Sequence, residues 1–201
     1  MDTDKRTALE QRRQKLQNKL QAEAYISQYL VPSLEVLDYF NQHGVAYRIA
    51  GLVSIPVEYY SYIEQAFTQP PYSDYGFAAV ALHSPELQTT LQTIDDQFPS
   101  TNSFRYVPDF PRYADYRTVP PESTQRNGLQ KAVEALELPD QPIYLYYLRY
   151  PLVLEVALYS LCQHDHNDLF NFWHGDAFIF GKDSDWLITF SLEEEWFGGR
   201  K

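Results

Sequence analysis

The sequence predicts an α+β fold, in which a mixed or antiparallel sheet is flanked by helices. Three observations lead to this prediction. A long run of helix-forming residues opens the chain, short apolar segments of strand length alternate with helical segments, and two apolar strands joined by a tight turn lie near the C-terminus. With 201 residues, of which 44% are apolar, the chain can bury one core. We therefore expect an N-terminal helical extension over residues 1–30 and a single α+β domain over residues 31–201.

The first half of the chain is expected to be mainly helical. Residues 4–29 contain strong helix formers and neither Gly nor Pro, and Pro32 and Ser33 restart a helix over residues 34–42 that His43 and Gly44 stop. Alternating apolar residues then predict a strand over residues 45–55, and Pro56 suits the first turn of a helix that reaches Phe67. The next predicted elements are a loop at 69–72, a buried strand over 76–82, and a helix that Ser84 caps and that runs to Asp96.

The second half is expected to supply most of the sheet. Residues 99–127 are rich in Pro and aromatic side chains and lack a period, which predicts a long loop held against the body. The run at 151–162 is interpreted as a buried helix, with a strand as the alternative, because apolar runs are ambiguous. The other predicted elements are a helix at 128–138, a strand at 142–150, a polar connector at 164–175, and hairpin strands at 177–181 and 186–191, with Trp186, Ile188 and Phe190 facing inward.

The charge is large and unevenly distributed. The net charge is −11; residues 1–20 carry six basic and three acidic side chains, a net of +3, whereas residues 21–201 carry ten and 24, a net of −14. Such an acidic body repels phosphate backbones and attracts basic proteins. We therefore expect a basic protein partner and no binding of nucleic acid by the main domain. The single cysteine, the charged N-terminus and the lack of a long apolar run favour a bacterial-type cytoplasmic protein without a membrane partner.

A cluster of His and Asp residues near position 170 could hold a divalent metal ion. Its candidate ligands are His164, His166, Asp168 and His174, and it supports an alternative function as a metal-dependent hydrolase. Their spacing matches no known helical zinc motif, and such residues also cap turns in connectors. Neither a nucleophile elbow nor a phosphate-binding glycine loop occurs, so the sequence favours a protein that is not an enzyme and predicts no cofactor.

The C-terminal tail combines acidic and aromatic side chains, which suits a protein interface. Acidic groups steer a basic partner toward a surface, and large rings anchor it. Alternatively, Trp196 closes the edge of the core and the glutamates form a solvated run. The candidate binding residues are Asp183, Asp185, Glu193, Glu194, Glu195, Trp196 and Phe197, together with Tyr113 and Tyr116 from the Pro-rich loop.

Residues 175–199 resemble the final hairpin of small bacterial immunity proteins, which neutralise polymorphic toxins. The matching features are an apolar strand, an Asp in the turn, a Trp-led second strand and a late Glu. They correspond here to Phe178–Phe180, Asp183, Trp186, Ile188, and Glu194 or Glu195. The resemblance covers 25 residues of 201, and the basic N-terminal helix departs from the pattern. It implies a cytoplasmic protein, without enzymatic activity, that binds a toxin tightly.

The sequence therefore predicts an acidic protein-binding module, in an immunity or inhibitor role, that occludes a basic partner such as a toxin. Two alternatives stay open: the metal-dependent hydrolase, and a structural subunit that docks through the N-terminal helix. The sequence indicates neither the oligomeric state nor the identity of the partner.

Overall fold

A computed structural model describes residues 3–98, 117–119, 127–148, 150–164, 167–170, 176–191 and 196–200 of the chain. Within these residues the fold is α+β, as the sequence predicts, with a long helical segment at the N-terminus and an antiparallel sheet. The helices are α1 (Thr3–Tyr25), α2 (Val31–Gln42), α3 (Tyr60–Phe67), α4 (Pro85–Gln97), α5 (Gly128–Ala135), α6 (Leu158–Gln163) and α7 (Asn167–Phe170).

The sheet contains six main strands and one short one, all paired antiparallel. In chain order the strands are β1 (Tyr47–Leu52), β2 (Arg117–Val119), β3 (Pro142–Tyr147), β4 (Leu152–Ala157), β5 (Ala177–Gly181), β6 (Trp186–Phe190) and β7 (Trp196–Arg200). Their spatial order is β1-β4-β3-β5-β6-β7-β2. The predicted hairpin is confirmed, because β5 and β6 pair directly with Ile179 opposite Ile188.

The sheet is apolar on both faces, and side chains alternate between two clusters along those strands whose side chains are described. On β3, Leu145 lies in the larger cluster, which α2, α3, α5 and α6 share, while Tyr144 lies in the smaller one with Leu87 and Ile94 of α4. Period-two alternation of buried residues is the pattern expected of a sheet covered on both sides. The inward face predicted for Trp186, Ile188 and Phe190 is confirmed, since all three belong to the larger cluster.

The N-terminal helices form one helical segment rather than two. A π-turn over Ile26–Leu30 joins α1 to α2, and Pro32 lies in the first turn of α2, where its missing N–H costs little. The predicted restart at Pro32 is therefore wrong in detail. The Tyr25 hydroxyl donates to the carbonyl of Ser54 at 3.5 Å, and the Tyr62 hydroxyl donates to that of Lys15 at 3.0 Å, so α1 lies against the body.

Three further predictions need correction. Residues 76–82 are not a strand: Gly76 adopts φ +82° and a short 3-10 turn follows at Phe77–Ala79. Residues 151–162 begin as strand β4 and only then become α6, so the strand alternative holds for the first part. Residues 117–119 of the expected loop pair with β7, which itself follows the predicted final strand.

An ion-pair cluster on β4 makes a stability contribution that depends on pH. Glu155 contacts the guanidinium of Arg48 and the ammonium of Lys182, the latter at 3.1 Å. Burial alone would raise the pKa of Glu155, but these two cations outweigh it and hold that pKa below its ordinary value of 4.5. A carboxylate whose pKa is lowered on folding adds stability above its unfolded pKa, and this stability is lost as the pH falls through the folded pKa.

We therefore expect Glu155→Gln to lower the free energy of unfolding by at most about 1 kcal/mol at neutral pH, because both cations are largely exposed. The difference from the parent chain should begin to shrink below about pH 4.5 and should vanish only once the pH lies well below the lowered folded pKa of Glu155. Urea unfolding across this pH range measures it. An unchanged difference at acid pH would show that Glu155 acts through packing rather than charge.

Candidate functional site

A cleft of about 600 Å³ lies between α5 and α6. Val133 and Leu138, both buried, contribute its apolar lining, and the acidic residues Glu134 and Glu137 line it together with Tyr159 and Cys162. An apolar pocket of this size with a few polar groups is typical of a binding site.

The end of α5 shapes one wall of the cleft. The helix ends at Ala135. The backbone N–H of Leu136 donates to the carbonyl of Ala132, and the backbone N–H of Leu138 donates to the carbonyl of Val133, both at 3.1 Å. The second bond spans a left-handed residue, as in a Schellman motif. That residue is Glu137, with φ +51°, where Gly is usual. The backbone turn therefore holds a carboxylate at the cleft in a conformation that glycine would adopt more readily.

The opposite wall is the first turn of α6, and residues that lie outside this helix hold it in place. Asp140 accepts a hydrogen bond from the backbone N–H of Tyr159 at 3.0 Å, so it caps the helix. The Tyr159 hydroxyl donates to the carbonyl of Leu138 at 3.2 Å. The backbone and the hydroxyl of Tyr159 are thus both held, and the ring is fixed at the cleft before any ligand arrives.

Tyr159 is also exceptional among the tyrosines. Three of the 17 tyrosines lie outside the described residues, and of the other 14 only Tyr159 is exposed, at 45%. The remainder are buried or half-buried, as expected of rings that fill the outer core. The tyrosine content of the described residues therefore offers one accessible ring, and it lies at this cleft.

The electrostatics of the cleft favour a cation. Among the described residues, neither Glu134 nor Glu137 forms an ion pair; Glu134 accepts only a hydrogen bond from the Gln130 amide at 2.8 Å. Glu134 also lies in the last turn of α5, where the helix dipole disfavours a negative charge. A group with an apolar stem and a positive head, such as an arginine or lysine side chain, would match the Val133–Leu138 lining, the Tyr159 ring and the two carboxylates.

Because Glu137 occupies a left-handed position, we expect Glu137→Gly to stabilise the fold by about 0.5–1 kcal/mol. Chemical unfolding measures the change. Ser54→Gly is the matched control, because Ser54 is exposed, has φ +61° and lies outside the cleft, so it should give a similar gain. A loss of stability in Glu137→Gly alone would show that the Glu137 side chain makes contacts that stabilise the fold.

The structure separates the residues of the predicted C-terminal interface. Trp196 is 1% exposed and lies in the core, so it offers no ring to a partner, and its predicted role as an anchor is corrected. Phe197 is half-buried on the other face of the sheet. Asp183 is exposed, and Asp185 pairs with Arg200 at 3.6 Å. The predicted residues Glu193, Glu194, Glu195, Tyr113 and Tyr116 lie outside the described residues.

The hairpin turn is nonetheless connected to the cleft. Arg200 pairs with Asp185 and also donates to the carbonyl of Leu136, at 3.4 Å, where α5 ends. The predicted acidic turn is therefore linked through one side chain to the turn that carries Glu137.

The predicted metal cluster is only partly described. His164 is half-buried, and its ring lies edge-on to that of His43 with centroids 6.4 Å apart. The side chains of His166, Asp168 and His174 lie outside the described residues. Within the described part of the chain, no group of three or more His, Cys, Asp or Glu residues converges to hold a metal ion. The metal site stays a prediction.

The cleft was not among the predicted sites. Its signals in the sequence are weak: two glutamates near the end of a short helix, and a tyrosine inside an apolar run. The cleft exists because the sheet brings α5 and α6 together, although Gln130 and Gln163 are separated by two strands along the chain.

Comparison with protein-family models, curated proteins and solved structures finds no match to this chain. Across the described residues, no helix combines the length and the apolar character needed to cross a lipid bilayer.

Proposed function

We propose that the chain is an acidic, cytoplasmic protein-binding module of the inhibitor or immunity type, which covers a functional surface of a basic protein partner. In this proposal the α5–α6 cleft receives an arginine or lysine side chain of the partner. The net charge of −11 steers the partner, and the cleft fixes its position.

One observation carries the proposal: the exposed Tyr159 shares the cleft with two glutamates that the local backbone disfavours. Glu134 opposes the dipole of α5, and Glu137 strains its turn. Left-handed residues other than glycine also occur elsewhere, as at Ser54, but at the cleft an unfavourable turn coincides with an unfavourable charge at a helix end. Such a coincidence at one place favours a functional site. The resemblance of residues 175–199 to immunity proteins supports the same role.

The test uses a hexa-arginine peptide as the probe and a hexa-citrulline peptide of the same shape without charge as its control. Cys162 lines the cleft and is the only cysteine, so its alkylation by iodoacetamide reports access to the cleft. We expect the arginine peptide to slow alkylation and the citrulline peptide to leave it unchanged. Protection should decrease as salt rises, because screening weakens the attraction.

The Tyr159→Ala variant separates the ring from the charge. A cation over an exposed ring contributes about 0.5–1 kcal/mol, so the variant should bind the arginine peptide about two- to fivefold more weakly. Equal protection of Cys162 by both peptides, or no protection by either, contradicts the proposal. Binding that Tyr159→Ala leaves unchanged contradicts the role of the ring.

A further inference from the structure

A stripe of exposed leucines runs along the outer face of α1. Leu9, Leu16 and Leu20 are 59%, 60% and 57% exposed. At 3.6 residues per turn, they lie within about 40° of one another around the helix. The opposite face is occupied, because Ala22 is buried and Tyr25 bonds to the body. The apolar stripe is thus turned away from the fold that supports it.

The shape of this surface fits a helix. The stripe borders a groove of about 350 Å³ lined by Arg13, Leu16, Gln17, Leu20, Gln21 and Ala24. Arg13, Leu16, Gln17 and Leu20 are spaced i, i+3, i+4 and i+7, and Gln17, Leu20, Gln21 and Ala24 repeat that spacing one turn later. Four residues at this spacing form the hole that receives one side chain of a neighbouring helix in a coiled coil. The groove therefore consists of two such holes in succession.

The charges around the stripe define the chemistry of the occupant. Arg12 and Arg13 are exposed and form no ion pair with the described residues, whereas Lys19, which also borders the stripe, pairs with Glu23 at 3.7 Å. A second copy of α1 would place these basic groups against each other. An anionic membrane would repel the rest of the chain, whose net charge is −14. A single helix with apolar knobs and acidic flanks would pair its charges with Arg12 and Arg13 at contact range, where the attraction outweighs the screened repulsion of the more distant acidic residues.

We propose that the outer face of α1 is a docking site for an amphipathic helix of a second protein, whose apolar side chains are flanked by Asp or Glu. This site differs in position and in charge from the cleft between α5 and α6. The chain would then present a basic surface to an acidic helix and an acidic cleft to a basic partner. A result that contradicts one of these two proposals leaves the other unaffected.

The test uses the full chain and a three-heptad peptide with leucine at positions a and d and glutamate at positions e and g. A twin peptide carries lysine at e and g. Fluorescence anisotropy should show binding of the glutamate peptide, weakened by salt, and no binding of the lysine peptide.

Leu16→Gln should weaken binding of the glutamate peptide at least tenfold, since glutamine keeps the helix but not the apolar contact. Val57→Gln is the control, because Val57 is 70% exposed and lies off α1.

Three results would overturn the proposal. One is an absence of measurable binding of the glutamate peptide to the parent chain. Another is equal weakening by Leu16→Gln and Val57→Gln, which would show that the stripe has no special part. The last is a dimer of the parent chain in sedimentation equilibrium that Leu16→Gln dissociates, which would make a second copy the occupant.

Discussion

The Trp196→Ala variant is expected to lose about 3–5 kcal/mol in free energy of unfolding, the largest effect on stability that we predict. The indole of Trp196 packs edge-on to Phe170, with ring centroids 4.8 Å apart, and against Phe190 at 4.9 Å. The indole also packs directly against Gly128, where an added Cβ would come within 2.4 Å of the ring. Truncation therefore leaves a cavity where α5, α7 and two strands meet.

Thermal and urea unfolding measure this loss, which should lower the midpoint temperature by roughly 10 °C. Phe197→Ala is the neighbouring control. It lies on the same strand, is half-buried on the opposite face, and should cost less. A loss below about 1 kcal/mol in Trp196→Ala would place the indole outside the core and restore it as a candidate surface anchor.

The same tryptophan shows why the sequence misjudged the C-terminal tail. Residues 193–199 combine three glutamates, two aromatics and two glycines, a pattern without the alternation that marks a strand. Strand β7 forms because β6 offers it an edge, with Trp196 opposite Phe190. Gly198 also lets the strand approach α5, since a Cβ there would lie 3.2 Å from Leu136. The pairing of β7 with β6 and its close approach to α5 depend on the tertiary structure, so the local sequence pattern does not reveal them.

Elements whose local signal and tertiary setting agree are predicted well. The helix opened by Ser84 and Pro85 begins as expected, with the Ser84 hydroxyl accepting from the N–H of Leu87. The β5–β6 hairpin and its inward face follow from alternation and turn residues alone. The segment 152–157 is a strand because both its neighbours are strands, which an apolar run cannot reveal.

The cleft lies beyond sequence reasoning for a related reason. Its two walls are separated along the chain by β3 and β4, and only the folded sheet sets their spacing. The locally unfavourable features can be recognised only once α5 is known to end at Ala135. Before that, Glu134 and Glu137 are two of 27 acidic residues, with nothing to single them out.

Reversing the charge of those two residues should have the largest effect on binding. The Glu134→Lys, Glu137→Lys double variant replaces two attractive groups with two repulsive ones in the lining of the cleft. We expect the hexa-arginine peptide to bind about 100-fold more weakly, equivalent to about 2.7 kcal/mol. Isothermal titration calorimetry at low and moderate salt measures the loss, which should be larger at low salt. The fold should tolerate the change, because a lysine at position 134 agrees with the dipole of α5.

A charge-matched control separates the cleft from the overall field of the protein. Glu58→Lys with Glu64→Lys changes the net charge by the same amount at two exposed residues near α3, away from α5 and α6. If the cleft fixes the partner, the control should lose much less affinity than the cleft variant, because it weakens only long-range steering. Equal losses in the two variants would mean that the peptide responds to net charge alone. The specific role of Glu134, Glu137 and Tyr159 would then have to be abandoned, even if the chain still attracted basic proteins.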